Sequence, residues 1–166
     1  MHKLYDFIEA RERLTTVVVK TKLMHSPVFS EESGNEIYLK PENLQKTGSF
    51  KIRGAYNKIA KLTEEEKKKG VIASSAGNHA QGVAYAAKRL GIKAVIVMPK
   101  HTPLIKVEAT RKYGAEVVLY GEVYDDAYKK ALELQKENGY VFVHPFNDED
   151  VIEGQGTIAL EILDEL

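Results

Sequence analysis

Three short stretches of this chain carry residue types that could do chemistry. The first is Gly48-Ser49-Phe50-Lys51-Ile52-Arg53-Gly54-Ala55. Ser49 reads as a helix N-cap, which puts Phe50 and Lys51 in the first helical turn. The helix dipole disfavours a cation there. That field, with Arg53 two residues on, is expected to lower the lysine pKa. A neutral amine can attack a carbonyl carbon and form a Schiff base. The competing reading is a solvated lysine at a helix start. The second stretch is Ser74-Ser75-Ala76-Gly77-Asn78-His79-Ala80-Gln81-Gly82, which follows a strand and opens a helix over Ala80–Leu90. Small residues let the backbone approach a ligand, and free N–H groups at a helix start bind carboxylate or phosphate. Asn78 and His79 add polar side chains beside that anion site; an ordinary strand-to-helix turn with an asparagine cap is the alternative. Gly77 and Gly82 have P-loop spacing, but Val83 stands where the lysine would be.

The third stretch, Gly154-Gln155-Gly156-Thr157-Ile158-Ala159, matches G-x-G-x-x-A in form. A dinucleotide site needs a strand just before it. Here Asn147 to Glu153 reads as a polar turn and a helix start, so close helix packing or a flexible joint is expected instead. Five histidines (2, 25, 79, 101, 144) lack metal-ligand spacing, so no metal is expected. Asp148-Glu149-Asp150 reads as a solvated cap.

The elements that must position these residues are legible from periodicity. Leu4, Phe7, Ile8, Arg11 and Leu14 fall at helical spacing. Thr15–Lys20 reads as extended or turn structure. Asn35–Lys40 alternates and reads as a half-buried strand, with Ile37 and Leu39 on one face. From residue 50 helix and strand alternate. Strands are expected over Val71–Ser74, Lys93–Met98, Glu116–Tyr120 and Tyr140–Val143, at near-constant spacing. Thr63 and Glu66 form a capping box. Glu64–Lys69 is an exposed helix face, with Glu64–Lys68 and Glu65–Lys69 pairs. Thr102 is read as an N-cap with Pro103 at the first helical position. Gly70, Gly91, Gly114 and Gly139 close helices. Repeated βα units build an α/β fold: a parallel sheet with helices on both faces, three layers in all, whose ligands bind at the carboxyl ends of the strands.

Composition narrows the function. Among 166 residues Lys+Arg and Asp+Glu are both 24, which argues against a nucleic-acid or anionic-membrane surface. The absence of cysteine excludes disulfides, cysteine zinc sites and thiol nucleophiles. The longest central apolar run, Ala94–Met98, is too short to span a bilayer. No secretory signal is visible at Met1–Asp6, so a soluble cytoplasmic protein is expected.

The paired blocks, taken together, resemble a known family. Lys40-Pro41-Glu42-Asn43-Leu44-Gln45-Lys46-Thr47 running into Gly48–Ala55 resembles the lysine segment of fold-type II pyridoxal-phosphate (PLP) enzymes. Ser75–Gly82 resembles the substrate loop of the threonine dehydratases. Further likeness runs through Val97-Met98-Pro99, His144-Pro145-Phe146 and Gly154–Thr157. The resemblance implies that Lys51 holds PLP as a Schiff base and removes the substrate α-proton. It implies that Phe50 packs beside the cofactor and that Asn78 hydrogen-bonds its ring oxygen. Ser75, Gly77, Asn78 and His79 would cradle the carboxylate of an amino-acid substrate. The implied reaction is dehydrating deamination of L-threonine, and secondarily L-serine, to 2-oxobutanoate or pyruvate and ammonia. The related serine racemases carry a serine acid/base where Ala76 stands, which favours dehydration here.

By the same resemblance, 51–150 is the small lobe of such an enzyme. Residues 1–50, and 151–166 as the start of a return helix, belong to the large lobe. The loop that grips the PLP phosphate would lie after residue 166. The chain alone is therefore expected to bind PLP weakly and to be nearly inactive. Association with a C-terminal half, or a homo-oligomer, is expected. A non-catalytic, self-associating module is the reading from a different class.

Overall fold

A computed structural model describes residues 2–166. Helix α1 spans Leu4–Leu14, with the Asp6 carboxylate accepting the Lys3 N–H at 2.7 Å. Residues 15–18 form turns. A short ribbon follows: β1 (Met24–His25) pairs antiparallel with β2 (Tyr38–Leu39), and α2 (Pro27–Ser33) lies between them. The expected half-buried strand over Asn35–Lys40 thus shrinks to two residues. Leu39 is exposed, because no layer covers this ribbon. A 3-10 turn at Glu42–Leu44 leads to α3 (Lys51–Ala60) and α4 (Glu64–Lys69).

The alternating part then runs β3 (Val71–Ser74), α5 (Asn78–Leu90), β4 (Ala94–Met98), α6 (Leu104–Lys112), β5 (Glu116–Leu119), α7 (Tyr124–Asn138), β6 (Val141–Phe142) and α8 (Glu149–Leu163). All four of the expected strands are present, each trimmed at most by a residue or two. They form one parallel sheet in the order β5-β4-β3-β6. Both faces of β3 and β4 are covered, so their residues are buried throughout, as a parallel sheet demands. Val71, Ala73, Ala94, Ile96 and Met98 face α5, α6 and, behind them, α3. The alternate residues Ile72, Val95 and Val97 face Ala127 and Ala131 of α7. The chain winds from β3 to β5 with α5 and α6 on one face, then returns through α7 on the other to place β6 beside β3.

Several local expectations shift by one residue. Helix α3 begins at Lys51 with Phe50 as the flanking residue, so Ser49 is not the N-cap; its hydroxyl accepts the Lys51 N–H at 3.4 Å. Pro103, not Thr102, flanks α6, and its extended ψ of 133° keeps it outside the helix. Asn78 is the first residue of α5, and Gly77 flanks it. The capping box of Thr63 and Glu66 is present. On α4 the ion pair is Glu64–Lys67 at 2.8 Å, one turn position short of the expected spacing. Asp148 caps α8 by accepting from the Asp150 and Val151 N–H groups. It is not merely solvated: Asp148 and Asp150 each lie 3.0 Å from Lys58.

The G-x-G stretch is inside α8 and packs that helix against α3. A Cβ on Gly154 would lie 2.5 Å from the Arg53 carbonyl oxygen and 2.6 Å from Gly54 Cα. The reciprocal Cβ on Gly54 would lie 2.7 Å from the Val151 carbonyl oxygen. Two backbones touch here, and no side chain can move aside.

Next to this contact sits a buried charge network. Arg53 has no exposed surface. Its guanidinium grips Glu42 at 2.8 and 2.9 Å and Glu161 at 2.7 and 3.0 Å, and donates to Thr157 Oγ1 at 3.1 Å. Lys40 Nζ adds a 2.7 Å contact to Glu161. Gln45 extends the network by bonding both backbone groups of Val19. Three segments distant in sequence, around Val19, Lys40–Gln45 and Thr157–Glu161, thereby join a network centred on one residue of α3. Burial alone would raise the pKa of Glu42 and Glu161, but hydrogen bonds from Arg53 outweigh it and hold both below the ordinary carboxylate value.

Gly154→Val is expected to cost about 3 kcal/mol by overpacking, read as a fall in Tm of roughly 6–12 °C. Arg53→Met strips the guanidinium from Glu42 and Glu161, leaving Lys40 as the cation on Glu161, and is expected to cost about 3 kcal/mol in urea unfolding. The sign of the pH effect is set by the depressed carboxyls. Their stabilisation is complete above the ordinary value of 4.5 and is lost as pH falls through their lower folded values. Glu161→Gln is therefore expected to lose less stability on acidification than the parent chain.

Candidate functional site

The winding of the sheet reverses between β3 and β6. In open parallel sheets the crevice at such a point, at the carboxyl ends of the strands, is where ligands bind. Two of the chemically equipped stretches meet there. Ser75–Gly77 leave the end of β3, with the Ser75 N–H continuing the ladder to the Val97 carbonyl at 3.2 Å. The Ser75 hydroxyl accepts the Gly77 N–H at 3.2 Å and folds the loop into the start of α5. The first-turn N–H groups of a helix have no intrahelical acceptors, so Asn78 and its neighbours present donors at this end. Asn78 is exposed. A Cβ added to Gly77 would meet nothing within 4 Å, so the loop faces open space.

Lys51 is brought to the same place from the start of α3. A Cβ on Gly82 would lie 3.1 Å from the Lys51 carbonyl carbon and 3.2 Å from the Ile52 nitrogen, so glycine at this position lets α5 touch the backbone that carries the lysine. The half-buried Lys51 amine donates to the Pro145 carbonyl at 2.7 Å, just past the end of β6. Its Nζ lies 5.3 Å from the Phe50 ring centroid. The Lys51 pKa is lowered, as the sequence suggests, but the cause differs. Burial of the amine lowers it, while the charge of Arg53 is engaged by Glu42 and Glu161 on the far side of α3.

His79 is in the same region but faces inward. It is 3% exposed, its Nε2 lies 2.9 Å from the Val143 carbonyl oxygen, and its Nδ1 is buried without a partner. Desolvation, helped by the nearby Lys51 and His144, lowers its pKa to about 4.

Sequence reasoning missed two contributors. The Pro145 carbonyl is a backbone group and has no side-chain signature. Gln155 of α8 accepts the Gly54 N–H at 3.0 Å and so supports the first turn of α3 from another helix; only the small-residue spacing around it hinted at close packing. An open groove beside Lys51 is lined by Phe7, Phe50, Phe146, Ile152 and Gln155. Among the described residues, His2, Asp6 and Glu153 form a group close enough to share a cation, a juxtaposition the histidine spacing did not signal. None of the described helices is long and apolar enough to cross a membrane.

Comparison with known proteins agrees with this geometry. A family model described as pyridoxal-phosphate dependent enzyme matches residues 14–166. The chain is 61% identical over 166 residues to an L-threonine ammonia-lyase of Thermotoga maritima, covering all of this chain and 41% of that protein. The processed threonine deaminase isoform 2 of Solanum lycopersicum superposes with a TM-score of 0.90 at 43% identity, over 99% of this chain and 47% of that one. A maize serine racemase gives a TM-score of 0.95 at 38% identity, over 99% and 50%. The chain thus spans about half the length, or somewhat less, of the relatives it matches. With a lysine and a small-residue turn meeting at the switch point of a parallel sheet, and a family match over nearly all its length, the chain belongs to the pyridoxal-phosphate dependent enzymes.

Proposed function

We propose that Lys51 is the residue that captures PLP, and that the polypeptide it serves carries out dehydrating deamination of L-threonine, with L-serine as a secondary substrate. The observation that carries this reading is the Lys51 amine itself: it bonds to the strand exit at Pro145, with its pKa lowered by burial, instead of extending into water. The residues present suit the cofactor. The open space at Gly77 leaves room for a ring and a bound carboxylate, and Phe50 offers an apolar face beside the amine.

When bound, PLP supplies an electron sink that makes the substrate α-C–H bond acidic. The protein's part is position and proton handling. Ser75, Gly77, Asn78 and His79 hold the substrate carboxylate, through the Ser75 hydroxyl, the Asn78 amide and the free N–H groups of the turn. Asn78 is also placed to hold the cofactor by hydrogen bonding when it is bound. Lys51 Nζ, in its neutral form, would take the α-proton. Loss of the β-hydroxyl as water gives an enamine product, which tautomerises and hydrolyses to 2-oxobutanoate and ammonia. The apolar groove at Phe7, Phe50, Phe146 and Ile152 supports the reading that a further half of the polypeptide, or a second copy, covers the site.

Racemisation is the second reading, favoured by the TM-score of 0.95 with a serine racemase. It requires an acid/base on the opposite face of the substrate. Ala76 holds that position by resemblance, and a methyl group has no proton to give.

Titration with PLP followed by borohydride reduction and peptide mapping is expected to place the label on Lys51. Lys51→Ala is expected to abolish that label. The labelling rate is expected to rise with pH through a midpoint below the ordinary lysine value of 10.5. A label spread over exposed lysines such as Lys68, with Lys51 unmodified, would overturn the assignment. Gly77→Ala is expected to weaken labelling at least tenfold while shifting Tm by less than about 2 °C, because its Cβ fills ligand space and strains nothing. The substrate class is tested by 2-oxobutanoate release from threonine, expected without D-serine formation from L-serine.

A further inference from the structure

The imidazole of His79 is oriented away from the ligand space, and its placement suggests a different task. Strand β6 is two residues long and pairs on one side only. Its exit therefore has few ladder bonds to fix it. The Val143 N–H still reaches the Ile72 carbonyl at 2.8 Å, and the Val143 carbonyl is taken by His79. Beyond it, His144 Nδ1 accepts the Phe146 and Asn147 N–H groups at 3.2 and 2.8 Å, which closes the turn around Pro145. The Pro145 carbonyl then holds the Lys51 amine.

We propose that His79 is a positioning residue for Lys51: by donating from Nε2 to the Val143 carbonyl, it ties the first turn of α5 to the exit of β6 and so sets where the Pro145 carbonyl meets the lysine amine. The contacts close a circuit. Gly82 of α5 abuts the Lys51 backbone, His79 of the same helix holds Val143, and two residues later Pro145 holds the Lys51 side chain. Backbone and side chain of one lysine are thus referred to one helix. A carbonyl accepts and cannot donate, so this contact requires the Nε2–H tautomer. Burial keeps the ring neutral, and a protonated ring would gain a donor on Nδ1, which has no acceptor. Any contact of His79 with a substrate carboxylate is left to its backbone N–H.

This inference deepens the reading of Lys51 and rests on it, but its test uses the chain without cofactor, so the two fail separately. Gln places an amide nitrogen near the position of His Nε2, and Asn places one near Nδ1. Lysine labelling by trinitrobenzenesulfonate is followed against pH, with each lysine quantified by peptide mass spectrometry and exposed Lys68 as internal reference. In His79→Asn the midpoint for Lys51 is expected to rise toward the ordinary value of 10.5, while His79→Gln keeps the parent profile. At a fixed pH below the midpoint this reads as roughly a threefold to tenfold slower Lys51 reaction in the Asn variant, the scale of one lost hydrogen bond. A folded His79→Asn chain with a lowered Tm and an unmoved Lys51 profile would show a merely structural histidine and overturn the proposal. Should that variant not fold, imidazole nitrogen shifts of the parent chain decide. An Nε2–H tautomer with a bare Nδ1 supports the proposal; an Nδ1–H tautomer sinks it.

Discussion

The placement of Lys51 depends on lateral contact, because no strand of the sheet leads into its helix. Most active-site residues of parallel sheets sit in loops that leave a strand directly, so the sheet itself positions them. Helix α3 instead follows the 3-10 turn at Glu42–Leu44 and a short irregular stretch. It is held between α5, which touches it at Gly82, and α8, which touches it at Gly154. Both contacts are backbone to backbone, and both glycines lie in helix interiors, where glycine is intrinsically unfavourable. The packing geometry outweighs that local cost, since any side chain at either point would push α3 away from the sheet.

The Arg53 network acts on the same helix from the other side. Its carboxylates come from residue 42 and residue 161, and its outer members reach Val19, Thr21 and Lys40. A buried ion network of this kind is weak evidence for net stability, because desolvation opposes the Coulomb gain. What it does supply is a register. Arg53 is two residues from Lys51, so the bidentate geometry at Glu42 and Glu161 leaves α3 little freedom to rotate or slide. This one side chain ties the segment around Lys40–Gln45 to α3 and adds to the contacts that hold α8 there.

Legibility in the sequence tracked the range of the forces involved. Strands β3 and β4 were readable because burial on both faces makes their sequences continuously apolar, and the ends of α5 and α7 because Gly91 and Gly139 adopt the left-handed cap conformation. Strand β1 and helix α2 escaped, and the strand expected over Asn35–Lys40 shrank to β2, because those residues stay exposed and gain no periodic apolar face. Ser49 and Thr102 misled by one residue each, since a hydroxyl before a helix does not say which residue first adopts helical angles. At the site, the types of Lys51, Ser75, Gly77, Asn78 and His79 were visible, and the meeting of the two stretches was expected by resemblance. The Pro145 carbonyl, the inward turn of His79 and the partners of Arg53 were not visible. The first two involve backbone atoms 94 and 64 positions away, and the Arg53 partners lie 11 and 108 positions away in other elements; none leaves a local pattern.

Lysine at the first position of α3 breaks a local rule, since a helix start favours anions. Such breaks concentrate where function demands them. The physical account is not that Arg53 repels the proton from Lys51, because that guanidinium is compensated by two carboxylates. It is that the amine is partly withdrawn from water by the strand exit and given one neutral acceptor, the Pro145 carbonyl, rather than an anion. A carboxylate in that place would have stabilised the ammonium and raised the pKa. A carbonyl satisfies a donor hydrogen in either protonation state, so the amine can lose its proton without leaving a buried charge behind. The proton affinity of Lys51 thus depends as much on which acceptor the fold places opposite it as on where its helix begins.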